Sequence, residues 1–599
     1  MSLAAQLSQL ETAGLISLAR SEPDLEYLFQ HSLVQDAAYD SLLKAERRWL
    51  HQAAGEALET LYPDHLDELA PRLAEHFWQA GERQKALKYY LAAAENAARA
   101  YANTEAIDLY TRALRAAGSD AAQQASIFRM RGRLLDTIGN FDLALADDEA
   151  ALGAARAAGD LDSEWQSLVV LGFLWASRDY QKTGEYYHQA EALARRLGEP
   201  RRLAHSLNWL GNYQINLYEP VLSRAHHEEA LQIFTEMGDD SGIAETSDLL
   251  GMSLAISGDL FRAGEALDRA RKGYEALGDR RGASSVQAAH SMITGISQTD
   301  TLVHPDFPVV EGIRDSQAAL RLASEVGWRS GEVFALICLG ECLTSAGDYR
   351  QALSTTARAS QMANEIHHHQ WQIYACLSEG DVYASLLGWE RAEEKLRLGL
   401  EQAIESNSIH WIQTMTGHLC HALIAQGKLA EAQALLERNS PSSKTQTLGE
   451  RLCGCARADL ALRQGDPQRA LEISEELCSS AVNLQPGRVI IRVWLTRGEA
   501  LRMLAESAAS PAERMRRLHE GETVLRELLE ETLRLGYLTR AWHARRLLAA
   551  NLAAQGRAAE AEEQRKCARQ TVLELASSIS EGELQQRFID RALVLIDNG

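Results

Sequence analysis

The stretch Ser206-Leu207-Asn208-Trp209-Leu210-Gly211-Asn212-Tyr213 decides the fold, because its mid-helix glycine returns about every forty residues, at Gly132, Gly172, Gly211, Gly251, Gly340 and Gly380. A second glycine follows seven or eight residues later, at Gly139, Gly258, Gly347 and Gly388. Each unit then continues in a stretch such as Ala225-His226-His227-Glu228-Glu229-Ala230-Leu231. A helix-ending glycine followed by a new helix start predicts two antiparallel helices per unit. Such a hairpin cannot bury its apolar face alone, so neighbours stack, each touching only the next, and ligands meet the concave face of the stack.

Composition agrees. Runs of β-branched or aromatic residues at period two are rare, while Ala, Leu, Glu, Gln and Arg dominate, which predicts an all-α fold. The formal charge of −22, from 61 basic and 83 acidic residues, argues against nucleic acid as a partner, since phosphate neutralisation needs a basic stripe. No apolar run approaches the ~18 residues of a membrane span, and no secretory leader is visible. The eight cysteines lack paired metal-site spacing and read as small core residues of a cytoplasmic protein.

Four regions follow along the chain. Residues 1–65 differ from the rest: a short helix from Leu3 to Ala13, two strand-like runs around the turn cluster Ser21-Glu22-Pro23-Asp24, then continuous helix from His31 to Tyr62. Helix, hairpin and helix suggest the remnant of a winged helix. Residues 66–120 form a first hairpin and an adaptor helix, 121–438 the regular units, and 450–599 divergent units with a cap helix at Phe588 to Ile596. The spacing of 89 between Gly251 and Gly340 signals an insertion near 298–309, where Pro305 and Pro308 exclude continuous helix. That segment, Asn439 to Gly449 and Ala505 to Ala512 all read as loops.

No nucleophile elbow, HExxH helix, phosphate-cradling loop or dinucleotide fingerprint is present, so no enzyme and no cofactor are expected. His367-His368-His369 point in different directions on a helix and read as an exposed helix end. His418 and His421 share a face, with no acidic partner at ligand spacing. A sharper expectation concerns the groove. With Gly211 as the packing glycine, His205, Asn208, Asn212 and Asn216 fall on one stripe, whose amides suit a peptide backbone or carboxylate. The same register brings Arg129 and Arg133 to a basic end, and Glu245 and Asp248 to an acidic end.

The run Trp209 to Tyr213, with Ala225 and Ala230-Leu231, resembles a tetratricopeptide repeat of the longer, roughly forty-residue form over most of residues 66–599, which implies a right-handed α-solenoid. In peptide-binding members a similar amide and basic stripe clamps a carboxylate, though their clamp lysines have no match here. Phe29-Gln30-His31-Ser32-Leu33-Val34-Gln35-Asp36-Ala37-Ala38-Tyr39, Arg47-Arg48, His51 and Leu73-Ala74-Glu75-His76 are similar to the junction between winged helix and repeats in signal-transduction ATPases with numerous domains, of the kind linked to bacterial class III adenylate cyclases. The resemblance implies interdomain docking by His31, Arg47, Arg48 and His51. It also implies a protein partner, a P-loop ATPase or nucleotide cyclase in cis or in trans. No GxxxxGK[ST] run occurs in the chain, so it is read either as part of a larger protein or as a chain working with a separate ATPase. The resulting expectation is a regulatory interaction module that binds a protein or small effector in its groove. A stand-alone scaffold and an accessory transcriptional regulator are the alternatives.

Overall fold

The computed structural model describes residues 2–20, 26–176, 178–442 and 444–598, and the turn cluster expected at Ser21 to Asp24 lies outside them. Among these residues the chain forms thirty α-helices and one two-stranded sheet, and it divides into two compact units, Met1–Leu134 and Leu135–Gly599.

In the first unit, strands Ile16–Arg20 and Glu26–Phe29 pair antiparallel with Ile16 opposite Phe29, between helices Leu3–Thr12 and Ser32–Asp40. The helix expected from His31 to Tyr62 is two helices, Ser32–Asp40 and Lys44–Leu61. The break is local: the Leu43 N–H donates to Glu46 Oε2, which starts a new helix in place of continuing the old one. Helices Leu66–Ala80 and Arg83–Arg99 then form a hairpin closed by Gly81 at φ 88°. Their core contains Leu73, Phe77, Tyr89 and Tyr90, with the Phe77 and Tyr89 rings stacked at 5.7 Å.

The second unit is a run of helical hairpins. Aspartate caps recur at helix starts, as at Asp239, Asp259 and Asp348, each accepting a hydrogen bond from a backbone N–H of the first turn. The mid-helix glycines are contact points. A Cβ on Gly211 would sit 2.7 Å from His227 Nε2, on the second helix of the same hairpin. Turn glycines Gly258 and Gly347 adopt φ 84°, which L residues resist. Gly388 departs from this pattern: the left-handed residue of its turn is Leu387, at φ 55°, and Gly388 caps the following helix.

Burial separates inside from outside. The first helix of a hairpin, Arg329–Ala346, buries fifteen of its eighteen residues. Its partner Tyr349–Glu365 buries six of seventeen. First helices therefore lie within and second helices face solvent. The expectation that repeats meet only their neighbours does not hold, because successive superhelical turns touch. Tyr218 donates to the His410 carbonyl, Asn483 to Asp259, and Arg391 to Glu581, across separations of 190 to 224 residues.

The insertion explains much of this closure. It does not form a surface loop. Between helices Arg280–Met292 and Val309–Glu325, residues 293–304 are buried throughout, including the short helix Ile296–Thr299. Such a segment needs its backbone polar groups answered. The Thr294 carbonyl accepts from Tyr537 Oη, the Thr301 carbonyl from Arg451 Nε, and the Asp300 carbonyl from the Arg492 N–H.

Candidate functional site

The inner wall is built by register. Glu341, Asp381, His421, Asp459 and Glu499 each follow a small residue, Gly340, Gly380, Cys420, Ala458 or Gly498, at the point where the first helix packs on its neighbours. Adjacent helices then pair across the wall. His418 Nδ1 lies 2.7 Å from Asp381 Oδ1, and His421 Nδ1 lies 3.0 Å from Asp459 Oδ2, which faces Arg492 at 3.6 Å, while Asp459 Oδ1 accepts from Thr496. The two histidines thus do have acidic partners, one repeat away in sequence, where a spacing search along one helix does not reach. No set of three metal-ligating side chains forms among the described residues.

At the centre stands Asp300 of the insertion. Its carboxylate accepts from Arg492 Nη2 at 2.8 Å and from Arg540 Nε and Nη2 at 2.8 and 2.6 Å. Burial pushes this carboxyl up, but the two guanidiniums outweigh burial and hold it far below the usual carboxylate range. Asp306 repeats the device nearer the surface, between Arg488 at 2.7 Å and Arg534 at 2.8 Å. Glu341 is the opposite case. It is fully enclosed, and burial with Asp381 nearby lifts it to about 8 against the hydrogen bond from Ser297, 2.6 Å away on the insertion.

The expected groove stripe divides. Asn208 is fully buried, donating to Thr246 Oγ1 at 2.8 Å and meeting His227 Nδ1 at 3.3 Å, so it joins helices and presents no amide to a groove. Asn216 is also buried and donates back to the Asn212 carbonyl, while Asn212 is half-buried. His205 and Glu245 stay half-buried and pair with each other at 3.0 Å. Asp248 is buried, and burial lifts its carboxyl to about 7. Arg129 and Arg133 belong to the first unit. The physical reason is common to the stripe: polar residues of one first helix answer those of the next, as in Arg202 to Asp162 at 2.5 Å and Trp165 Nε1 to Ser206 at 2.9 Å.

Of the docking residues, His51 Nδ1 meets His76 Nδ1 at 2.9 Å and its Nε2 meets Tyr39 Oη at 3.0 Å, bridging to the first hairpin. Arg47 stays local, on the Leu42 carbonyl, Asp40 and the Tyr39 ring. His31 and Arg48 are exposed. The triple histidine sits at a helix end with His367 and His369 exposed, as expected, but His368, which caps helix His369–Ser385, is buried, stacked on Trp371 and edge-on to Phe141, and its Nδ1 accepts from the Trp371 N–H. No candidate membrane-spanning helix occurs among the described residues.

No family model matches the chain, and no curated protein matches it. Among solved structures, a Rap protein complexed with competence and sporulation factor is similar over 71% of this chain and 99% of that one, at 14% identity and a TM-score of 0.41. Yeast Tom70 is similar over 78% and 96%, at 15% identity and 0.33. A signal transduction ATPase with numerous domains and a tetratricopeptide repeat sensor, from Pyrococcus horikoshii, is similar over 80% of this chain and 58% of that one, at 12% identity and 0.34. The helical-hairpin architecture rests on this chain's own geometry.

Proposed function

We propose that this chain is a non-catalytic interaction and regulatory module of a signal-transduction ATPase system, which docks a folded partner domain through its N-terminal segment and takes a further ligand on its repeats. The observation that supports the reading is the apolar surface of residues 2–65. Leu28, Leu33, Leu43, Trp49 and Leu61 are all more than half exposed, from 56% at Leu28 to 80% at Leu33, whereas only Ile16 and Gly55 are buried among the described residues. A soluble surface rarely keeps so many large apolar side chains in water, and a docked domain removes them. The junction resemblance supplies the class of partner, a P-loop ATPase. Ligand binding on the repeats would act by favouring one arrangement of the superhelix over another.

The test is to recover the tagged full chain from its own cell extract and assay ATP hydrolysis, alongside a Leu43→Glu, Trp49→Glu variant. ATPase activity should accompany the wild type and be lost with the variant at unchanged helical content. Recovery without ATPase activity, or equal activity with both chains, overturns the reading.

A further inference from the structure

Arg451 is a buried cation without a counter-charge. It is 2% exposed, and its hydrogen bonds all go to uncharged acceptors. Nε donates to the Thr301 carbonyl at 2.9 Å, Nη1 to the Thr445 carbonyl and Ser480 Oγ at 3.2 and 3.1 Å, and Nη2 to the Leu477 carbonyl at 2.9 Å. Four of the five N–H donors are thereby used, and one on Nη2 is left over. Arg492 and Arg540, by contrast, share the carboxylate of Asp300. Arg451 makes no ion pair among the described residues, and burial pulls its guanidinium below the ordinary value with no carboxylate to oppose the shift. Carbonyl oxygens satisfy its N–H groups but leave its net charge unbalanced.

Beside this side chain lies a cavity of about 10 Å³, room for the centre of one water-sized particle. Its lining comes from the turn at 257–258, the insertion at Leu302 and Val303, the loop at 445–446, Arg451 and the segment 480–482. Among these residues Arg451 alone is charged. Leu302 and Val303 are each 2% exposed, and their backbone N–H groups donate to no acceptor among the described residues. Buried N–H groups are rarely left so. The acids that adjoin the lining in sequence are engaged elsewhere. Asp259 accepts from the Arg262 N–H and from Asn483, and Glu450 from the N–H groups of Gln446 and Thr447. Gln446 and Val482 are exposed, so ions in solvent reach the cavity.

We propose that this cavity is a chloride site, in which a monatomic anion balances the Arg451 guanidinium and accepts from the unanswered N–H groups of the insertion. A water molecule there would accept hydrogen bonds but leave the buried charge unbalanced; an anion answers both. The lining joins residues 257–258 of one superhelical turn to residues 445–482 of the next, beside the 2.9 Å bond from Asn483 to Asp259. The anion therefore fastens successive turns. This adds a response to a small ion to the function proposed above, and its test does not involve the ATPase.

Thermal unfolding of the full chain is followed in sodium chloride and in sodium gluconate at equal ionic strength, gluconate being too large for the cavity. Chloride should raise the midpoint by about 2 °C, and the rise should saturate with concentration. General screening of the formal charge of −22 is the same in both salts. Ala481→Ile adds bulk at a lining residue without removing a side-chain hydrogen bond, and it should abolish the difference between the salts. Crystals of the wild type soaked in sodium bromide should show an anomalous peak in the cavity. Equal wild-type midpoints in the two salts, or an unchanged chloride response in Ala481→Ile, overturns the proposal. Should Ala481→Ile fail to fold, the bromide soak decides in its place: a peak beside Arg451 supports the site, and a cavity without one overturns it.

Discussion

Asp300 and Arg540 stand 240 residues apart in the chain and are joined by two hydrogen bonds of 2.8 and 2.6 Å. The contact fastens a buried segment of one superhelical turn to a first helix of the next. Removing the acid leaves two buried guanidiniums without their shared partner, which is the costly way to break such a group.

Asp300→Asn should therefore destabilise the fold by about 3–5 kcal/mol, whereas Asp306→Asn, on a carboxylate that is more than half exposed, should cost about 1 kcal/mol or less. Urea denaturation of both variants measures the difference. Equal midpoints would show that the insertion is not held by this pair.

The same carboxylate sets an acid limit. Its folded value is depressed, so its contribution is present above the unfolded value of about 3.9 and is lost as pH falls below it. Thermal midpoints should fall steeply below about pH 4 in the wild type, and less steeply in Asp300→Asn.

Glu341 acts in the other direction. Its folded value is raised to about 8, so the neutral acid is tolerated at low pH and stability declines as pH rises from the unfolded value of about 4.3 towards 8. Glu341→Gln should flatten that decline while keeping an acceptor for Ser297. A pH series of urea midpoints that is parallel for both proteins contradicts the assignment.

Asn208→Ala should destabilise by about 1–3 kcal/mol, because Thr246 and His227 lose a partner in a buried position. His205→Ala, at a half-exposed pair with Glu245, should cost about 1 kcal/mol or less. Thermal denaturation separates the two.

Gly211→Ala tests the packing role of the repeating glycine. The added methyl meets the His227 ring at 2.7 to 2.9 Å, and His227 is itself fully buried. Overpacking of this kind costs about 1–3 kcal/mol. A neutral result in a melting experiment would mean that the two helices can separate freely.

The repeat was legible because its signals are local: a glycine whose Cβ would strike the partner helix, an aspartate immediately before a helix, a glycine at φ 84°. The insertion was legible as a break, from Pro305 and Pro308, but its path was not, since the groups that bury it, Arg451, Arg492, Tyr537 and Arg540, lie 150 to 243 residues away. The groove stripe divided for a related reason. Register identifies which residues share a helix face, but whether Asn208 meets water or Thr246 depends on how closely the next helix approaches. His418 looked unpartnered because Asp381 sits on the preceding first helix.

Contacts between successive turns also bear on how this architecture can change over time. An open solenoid can gain or lose a hairpin by duplication or deletion, since the remaining units keep their neighbours. Here, deleting one hairpin between residues 310 and 480 would slide every later residue past its mate on the turn before: Asn483 away from Asp259, Arg540 away from Asp300. Lengthening or shortening the array would have to proceed at its ends or by whole turns, so the hairpin count per turn is inherited as a fixed quantity while the individual side chains remain free to diverge.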